Sequence, residues 1–260
     1  MPAASDLLLA LGMSAAAGLV GSIAVMRRMA LASDALSHVA LPGVALALLL
    51  HVSPLAGGFV ALVVGTLLVW ALEYRTRIPT EAVIGVLFSA ALAVGSLMAS
   101  GENLLEALIG TPAVSGRLDA TLGLATTGLV IAFMIRARSR LVIRLVSPDL
   151  VGTLGVNVPR LDLLYLLAFA LTVALGLRYL GVLLMGSLII IPATTAMYLA
   201  RNLRSMQIIA VTSAVGSTLI GTIVSSRLGT SSGPLVIVVA AIVFLVGLFW
   251  RRWPRRRQKA

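Results

Sequence analysis

Long apolar segments recur from one end of this chain to the other, and they constrain its fold more than any other feature. Of the 260 residues, 60% are hydrophobic and only 11% are charged, whereas soluble domains carry about a quarter charged residues. Each segment is long enough to cross a hydrocarbon core of about 30 Å. We therefore predict an all-α, polytopic transmembrane helical bundle that forms a single domain over residues 1–260.

Charge clusters and turn residues divide the chain into consecutive apolar segments. They cover residues 5–26, 29–51, 55–72, 81–100, 120–135, 161–177, 180–200, 206–225 and 234–250. The turn at Arg27 and Arg28, between the first two segments, is very tight, and one segment that dips into the membrane without crossing it would leave eight spans. The sequence therefore predicts eight or nine spans.

Basic residues are distributed unevenly between the two sides that these spans would create. All Lys and Arg residues except Arg117, Arg178 and Arg227 fall in connections on one side. The positive-inside rule then places the amino terminus outside and the carboxyl terminus in the cytoplasm. The basic tail at 251–260 is predicted to contact anionic membrane lipids. Nucleic-acid binding is disfavoured, because the arginines lie at span ends without interleaved aromatic residues.

The second segment carries two ionisable residues, Asp34 and His38, four positions apart. On a helix this spacing brings both side chains to the same face, and ionisable groups inside a membrane are costly enough to mark a functional site. At 1.5 Å per residue from Arg28, Asp34 would lie about 10 Å and His38 about 16 Å along the helix, near the bilayer midplane. Pro42 and Gly43 follow and are expected to kink the span beside this path.

A carboxylate with a neutral imidazole supplies half of a divalent-cation site. The chain contains no cysteine, so a metal ion would bind nitrogen and oxygen donors, which suit zinc, manganese or iron(II). Two alternatives remain open for the same pair. It is also suited to a proton relay in a proton-coupled secondary transporter, or to hydrogen bonds that only fix helix packing.

The remaining polar features indicate packing or partner binding more than chemistry. Ser213, Ser217, Gly221 and Ser225 recur every four residues and predict a helix-packing stripe. No phosphate-binding loop motif and no nucleophile-base motif is present, so we expect neither an enzyme nor a permanently bound cofactor, and nucleotide would be hydrolysed by another subunit.

The longest connection on the basic side runs from Arg136 to Arg160. Ser147-Pro148-Asp149 is a helix-opening signal, and the following glycines, Asn157 and Pro159 are stops. These signals predict a short surface helix followed by a turn. Such a connection either docks a partner or is a plain solvated linker.

Several motifs together resemble the permeases of ABC importers for zinc, manganese and iron. They are distributed over most of the chain. The motifs are Ser33-Asp34-Ala35-Leu36-Ser37-His38-Val39-Ala40-Leu41-Pro42-Gly43-Val44-Ala45, Glu81-Ala82-Val83-Ile84-Gly85-Val86-Leu87-Phe88-Ser89, Gly181-Val182-Leu183-Leu184-Met185-Gly186, Ile191-Pro192-Ala193-Thr194-Thr195-Ala196 and Ser232-Gly233-Pro234.

The resemblance implies a type II ABC importer-like permease in a bacterial inner or plasma membrane. Its expected partners are a cytoplasmic ATP-binding cassette ATPase, an extracytoplasmic metal-binding protein and a second permease copy. It places Asp34 and His38 in the metal path. It also makes the stretch at about 139–160 the segment that seats on the ATPase, with its candidate contacts at Pro148, Asp149, Gly152 and Gly155. Many relatives carry an acidic residue before the last Ser-Gly-Pro, where this chain has Gly229-Thr230-Ser231.

Overall fold

The structure, a computed structural model, describes residues 4–29, 32–76, 78–98, 117–147, 155–180 and 182–256. These residues form α-helices and no strands, which confirms the all-α prediction, and each predicted apolar segment corresponds to one helix. The helices are α1 (Ala4–Met26), α2 (Ala32–Leu49), α3 (Pro54–Thr76), α4 (Thr80–Met98), α5 (Arg117–Val146), α6 (Val158–Leu180), α7 (Val182–Leu199), α8 (Leu203–Leu228) and α9 (Ser232–Arg256).

Length and composition make 8 of the described helices capable of crossing a membrane. The remaining helix, α7, is 18 residues long, and its described apolar stretch is Met185–Leu199. At 1.5 Å per residue an 18-residue helix spans about 27 Å, slightly less than a hydrocarbon core of about 30 Å. The two predicted counts, eight and nine, therefore differ only in whether α7 crosses.

Helices α1 and α2 form the centre of the bundle. In their most apolar windows 67% and 61% of the residues are buried, compared with 22% in α4 and in α9. Glycines allow the close packing of α1, because a Cβ at Gly18 would lie 2.8 Å from the carbonyl oxygen of Ala210 in α8. A Cβ at Gly21 of α1 would overlap the carbonyl oxygen of Ile189 in α7. The outer helices present their apolar side chains to the surroundings, as expected in lipid.

The predicted packing stripe on α8 is confirmed at Gly221. A Cβ there would lie 2.6 Å from the Cα of Val236 in α9, so only glycine allows this approach. Helix α8 also shows clear end signals. Asn202 and Ser205 form a capping box at its start, and Gly229 ends it in the left-handed conformation with φ 65°.

The predicted connection starting at Arg136 is wrong in its first part, because α5 continues to Val146. This extension is amphipathic. Ala137 and Leu141 are buried, whereas Arg136 and Arg140 are exposed. Buried apolar residues one helical turn apart therefore stabilise the helix beyond its last fully apolar stretch.

The predicted stops before α6 are instead its beginning. The side-chain oxygen of Asn157 accepts a hydrogen bond from the backbone N–H of Arg160 at 3.1 Å, so Asn157 caps α6. Pro159 lies in the first turn, where its missing N–H costs nothing. Pro148, Asp149 and Gly152 lie outside the described residues, and Gly155 occupies a turn with φ 68°. At the carboxyl end, α9 extends through Arg256 into the predicted tail.

Candidate functional site

Asp34 lies in the first turn of α2. The depth predicted from Arg28 stays a prediction, but its assumption of a continuous helix from that residue is wrong. Arg28 has a left-handed φ of 61° and α2 begins only at Ala32. Met29, in the connection, is 2% exposed and Ser33 is fully buried, so α2 starts inside the bundle. Backbone N–H groups at a helix start interact favourably with a carboxylate.

Asp34 and His38 lie on one face of α2, as their spacing predicts. Nε2 of His38 and Oδ1 of Asp34 are 3.9 Å apart. The Asp34 side chain is 49% exposed and that of His38 is 14% exposed. Nδ1 of His38 is buried and has no hydrogen-bond partner among the described residues. The pair therefore combines a reachable carboxylate with a largely buried imidazole.

Three of the motif stretches converge on this face. The ring of Phe88 in α4 lies 5.4 Å from the His38 ring, centroid to centroid. Gly186 of α7 packs against the backbone of Asp34, where a Cβ would lie 3.0 Å from the Asp34 Cα. The Ser33 hydroxyl donates a hydrogen bond to the Gly186 carbonyl oxygen at 3.3 Å. Helices α4 and α7 thus fix the position of the first two turns of α2.

Pro42 and Gly43 have different roles in α2. Proline has no N–H, so the carbonyl oxygen of His38, four residues earlier, lacks its usual helical partner. Gly43 packs directly on Gly57 of α3, and a Cβ on either glycine would overlap the carbonyl oxygen of the other. The helix continues through Pro42 to Leu49. The predicted kink stays a prediction.

The geometry provides an incomplete metal site. Within the described part of the chain, no group of three or more His, Cys, Asp or Glu residues is placed to hold a metal ion. Tetrahedral zinc with bonds of about 2.0–2.1 Å separates two ligand atoms by about 3.3 Å. The 3.9 Å between His38 and Asp34 therefore has to close by about 0.6 Å before both bind one ion. A small side-chain rotation achieves this, and weak, two-residue binding suits an ion in transit.

Sequence reasoning missed a second buried polar group. Asp162 is 2% exposed and forms ion pairs with Arg27 and Arg144. The signal was present in the sequence, because Asp162 is the one acidic residue in the apolar segment 161–177. An acid in such a segment requires a cationic partner.

Comparison with known proteins assigns the chain to a family. Residues 4–251 match the ABC 3 transport family. The chain belongs to this family. It is 33% identical over 243 residues to the high-affinity zinc uptake system membrane protein ZnuB of Haemophilus influenzae, covering 89% of this chain and 91% of the relative. It is 26% identical over 247 residues to the manganese import system permease protein ScaB of Streptococcus gordonii, covering 94% and 89%.

A solved structure shows the same fold. The complex PsaBC from Streptococcus pneumoniae with Fab superimposes with a TM-score of 0.78 at 23% identity, covering 94% of this chain and 89% of that chain. As a member of the ABC 3 transport family, the chain is a multi-pass membrane permease subunit of an ABC metal transporter, and a separate subunit hydrolyses ATP. The resemblance drawn from its motifs is thereby confirmed.

Proposed function

We propose that this permease imports a divalent transition-metal ion, zinc, manganese or iron(II), and that Asp34 and His38 form the transit site. The observation that carries the proposal is their shared position on α2, with the carboxylate half exposed and the imidazole 3.9 Å away. Pro42 also leaves the His38 carbonyl oxygen without its usual helical partner. An ion held by so few protein ligands is released readily.

The importer works by alternating access. A metal-binding protein delivers the ion at the outer face. The path through the pair of permease copies then opens alternately to the outside and to the cytoplasm. ATP hydrolysis by the partner subunits acts on the segment around 147–157, which includes Pro148, Asp149, Gly152 and Gly155. The spans then reorient, and the ion passes Asp34 and His38 toward the cytoplasm.

Two structural features support the cytoplasmic placement that we propose for the ends of α1, α3 and α5 and the start of α6. With nine crossings, the carboxyl terminus lies on the same side. Arg27 after α1, Tyr74 near the end of α3 and Arg144 near the end of α5 all contact Asp162 near the start of α6. These helix ends therefore lie together on one side of the bundle. It is the side rich in arginine, which the positive-inside rule places in the cytoplasm.

The test is metal uptake by cells that express Asp34→Asn or His38→Asn at the level of the parent. Asp34→Asn keeps the side-chain shape but removes the charge of the carboxylate ligand, and His38→Asn removes the imidazole ligand, so we expect uptake of radioactive zinc and manganese to fall by at least about tenfold.

The matched control is His51→Asn, since His51 is the only other histidine, is exposed, and has a φ of 56° that asparagine tolerates. The control should take up metal like the parent. Normal uptake by both site variants would remove Asp34 and His38 from the path.

A further inference from the structure

Asp162, at the start of α6, is the centre of a buried charge cluster. Its side chain is 2% exposed. Oδ1 pairs with the guanidinium of Arg27, and Oδ2 lies 3.4 Å from Nε of Arg144. The hydroxyl of Tyr74 donates a hydrogen bond to Oδ2 at 3.0 Å. One carboxylate thus joins residues from α3, α5 and α6 to the residue that follows α1.

Neighbouring aromatic contacts hold the cluster in place. The Arg27 guanidinium carbon lies 4.5 Å from the centre of the Tyr165 ring, and the Tyr165 hydroxyl donates to the Val20 carbonyl oxygen at 3.2 Å. Trp70 of α3 donates from Nε1 to the carbonyl oxygen of Pro159 at 2.9 Å. The first two turns of α6 are therefore attached to both α1 and α3.

Such a cluster is not expected to add much to the free energy of unfolding. Burying the Asp162 carboxylate together with the largely buried Arg27 guanidinium costs desolvation energy that their mutual attraction often fails to exceed, although Arg144 stays 29% exposed. Apolar side chains would fill the same space at less cost. An ionisable residue inside a membrane span is by default a candidate functional residue.

The position of the cluster in the chain indicates that function. Arg144 and Asp162 lie on either side of the segment at 148–154, so their ion pair ties its two flanks together. Arg27 opens the short connection from α1 to α2, and Asp34 follows seven residues later. The Asp162 carboxylate therefore links the two flanks of the proposed ATPase-coupling segment to each other. It also links them to Arg27, which begins the connection to the helix that carries the transit site.

We infer that Asp162 is a positioning residue that transmits movement of the coupling segment to α2. Displacement of the segment pulls on Arg144 and α6, and through Asp162 it pulls on Arg27 and the start of α2. This inference rests on the proposed function, because it concerns the step that joins ATP hydrolysis to movement of the metal ion. Loss of the Asp162 charge should therefore change metal transport without a matching change in ATP hydrolysis. It leaves both the ATPase-coupling segment and the metal transit site in place.

The experiment uses the complete complex of the permease with its ATPase subunit and metal-binding protein in lipid vesicles, and measures zinc moved per ATP hydrolysed. Asp162→Asn keeps the shape of the side chain but removes its charge. We expect the ATPase subunit to stay bound and to hydrolyse ATP within about twofold of the parent rate, while zinc moved per ATP falls about tenfold. A merely structural role would lower both rates in proportion.

Two further variants keep the test decisive. Tyr74→Phe removes one hydrogen bond to Asp162 and should lower zinc moved per ATP about threefold with the complex intact; it decides the question if Asp162→Asn fails to assemble. Arg75→Gln is the control, since it removes an exposed charge beside Tyr74 and should match the parent. Unchanged zinc per ATP, or a proportional fall in both rates, overturns the inference. A parent complex that moves none of zinc, manganese and iron(II) overturns the proposed function as well.

Discussion

The Asp34 and His38 side chains are close enough to share an ion but too far apart to hold it tightly. Their 3.9 Å separation exceeds the distance between two ligands of one zinc ion by about 0.6 Å. Gly186 fixes the position of the first turn of α2, which carries Asp34. Its missing side chain allows α7 to approach the Asp34 backbone, and its carbonyl oxygen accepts the Ser33 hydrogen bond. Small changes at Gly186 should therefore affect both packing and transport.

Gly186→Ala tests this contact. The added Cβ would lie 3.0 Å from the Asp34 Cα and 3.1 Å from its backbone nitrogen, so α7 and α2 have to separate. We expect a loss of about 1–3 kcal/mol of stability, measured as a lower melting temperature in detergent, together with reduced metal uptake.

Gly216→Ala is the matched control, because a Cβ at that position meets nothing within 4 Å. It should keep or slightly raise stability, since alanine is the better helix former. If the two variants melt and transport alike, Gly186 does not hold Asp34 in position.

At the scale of helices, most of the architecture could be predicted from the sequence. Stretches of about 20 apolar residues have one stable form in lipid, so each helix was predictable. The end of α5 was not, because Leu141 is buried by tertiary packing among exposed arginines. The Asp34 and His38 pairing followed from helix periodicity alone. Phe88 and Gly186 lie in motifs noticed in the sequence, but their approach to α2 depends on how distant helices pack, and so do the partners of Asp162.

Cysteine labelling can test whether α7 crosses the membrane, because the chain has no cysteine of its own. Single cysteines at exposed Ser53, Thr76 and Ser231 report the side of three connections. With nine crossings and an outer amino terminus, a membrane-impermeant maleimide should label Ser53→Cys and Ser231→Cys in spheroplasts. Thr76→Cys should react only after the membrane is opened. A protected Ser231→Cys beside a labelled Ser53→Cys would show that α7 does not cross.

At the scale of the whole molecule, a central helix pair carries the proposed metal path, and a buried ion cluster lies at the basic end of the bundle. Helices α1 and α2 are the most buried of the spans, and they meet at the connection that begins with Arg27. The cluster at Asp162 and the pair at Asp34 and His38 therefore lie on either side of one short connection. This arrangement suits a permease in which work done by a separate ATPase has to reach an ion inside the membrane.

The position of a bound ion tests the central claim most directly. Crystals of the permease complex soaked in zinc can be measured by anomalous scattering. The account predicts a peak at about 2.0–2.2 Å from both an Asp34 carboxylate oxygen and a His38 ring nitrogen, and no such peak in His38→Asn. A transported ion found elsewhere in the bundle, with Asp34 and His38 turned toward different neighbours, would contradict it.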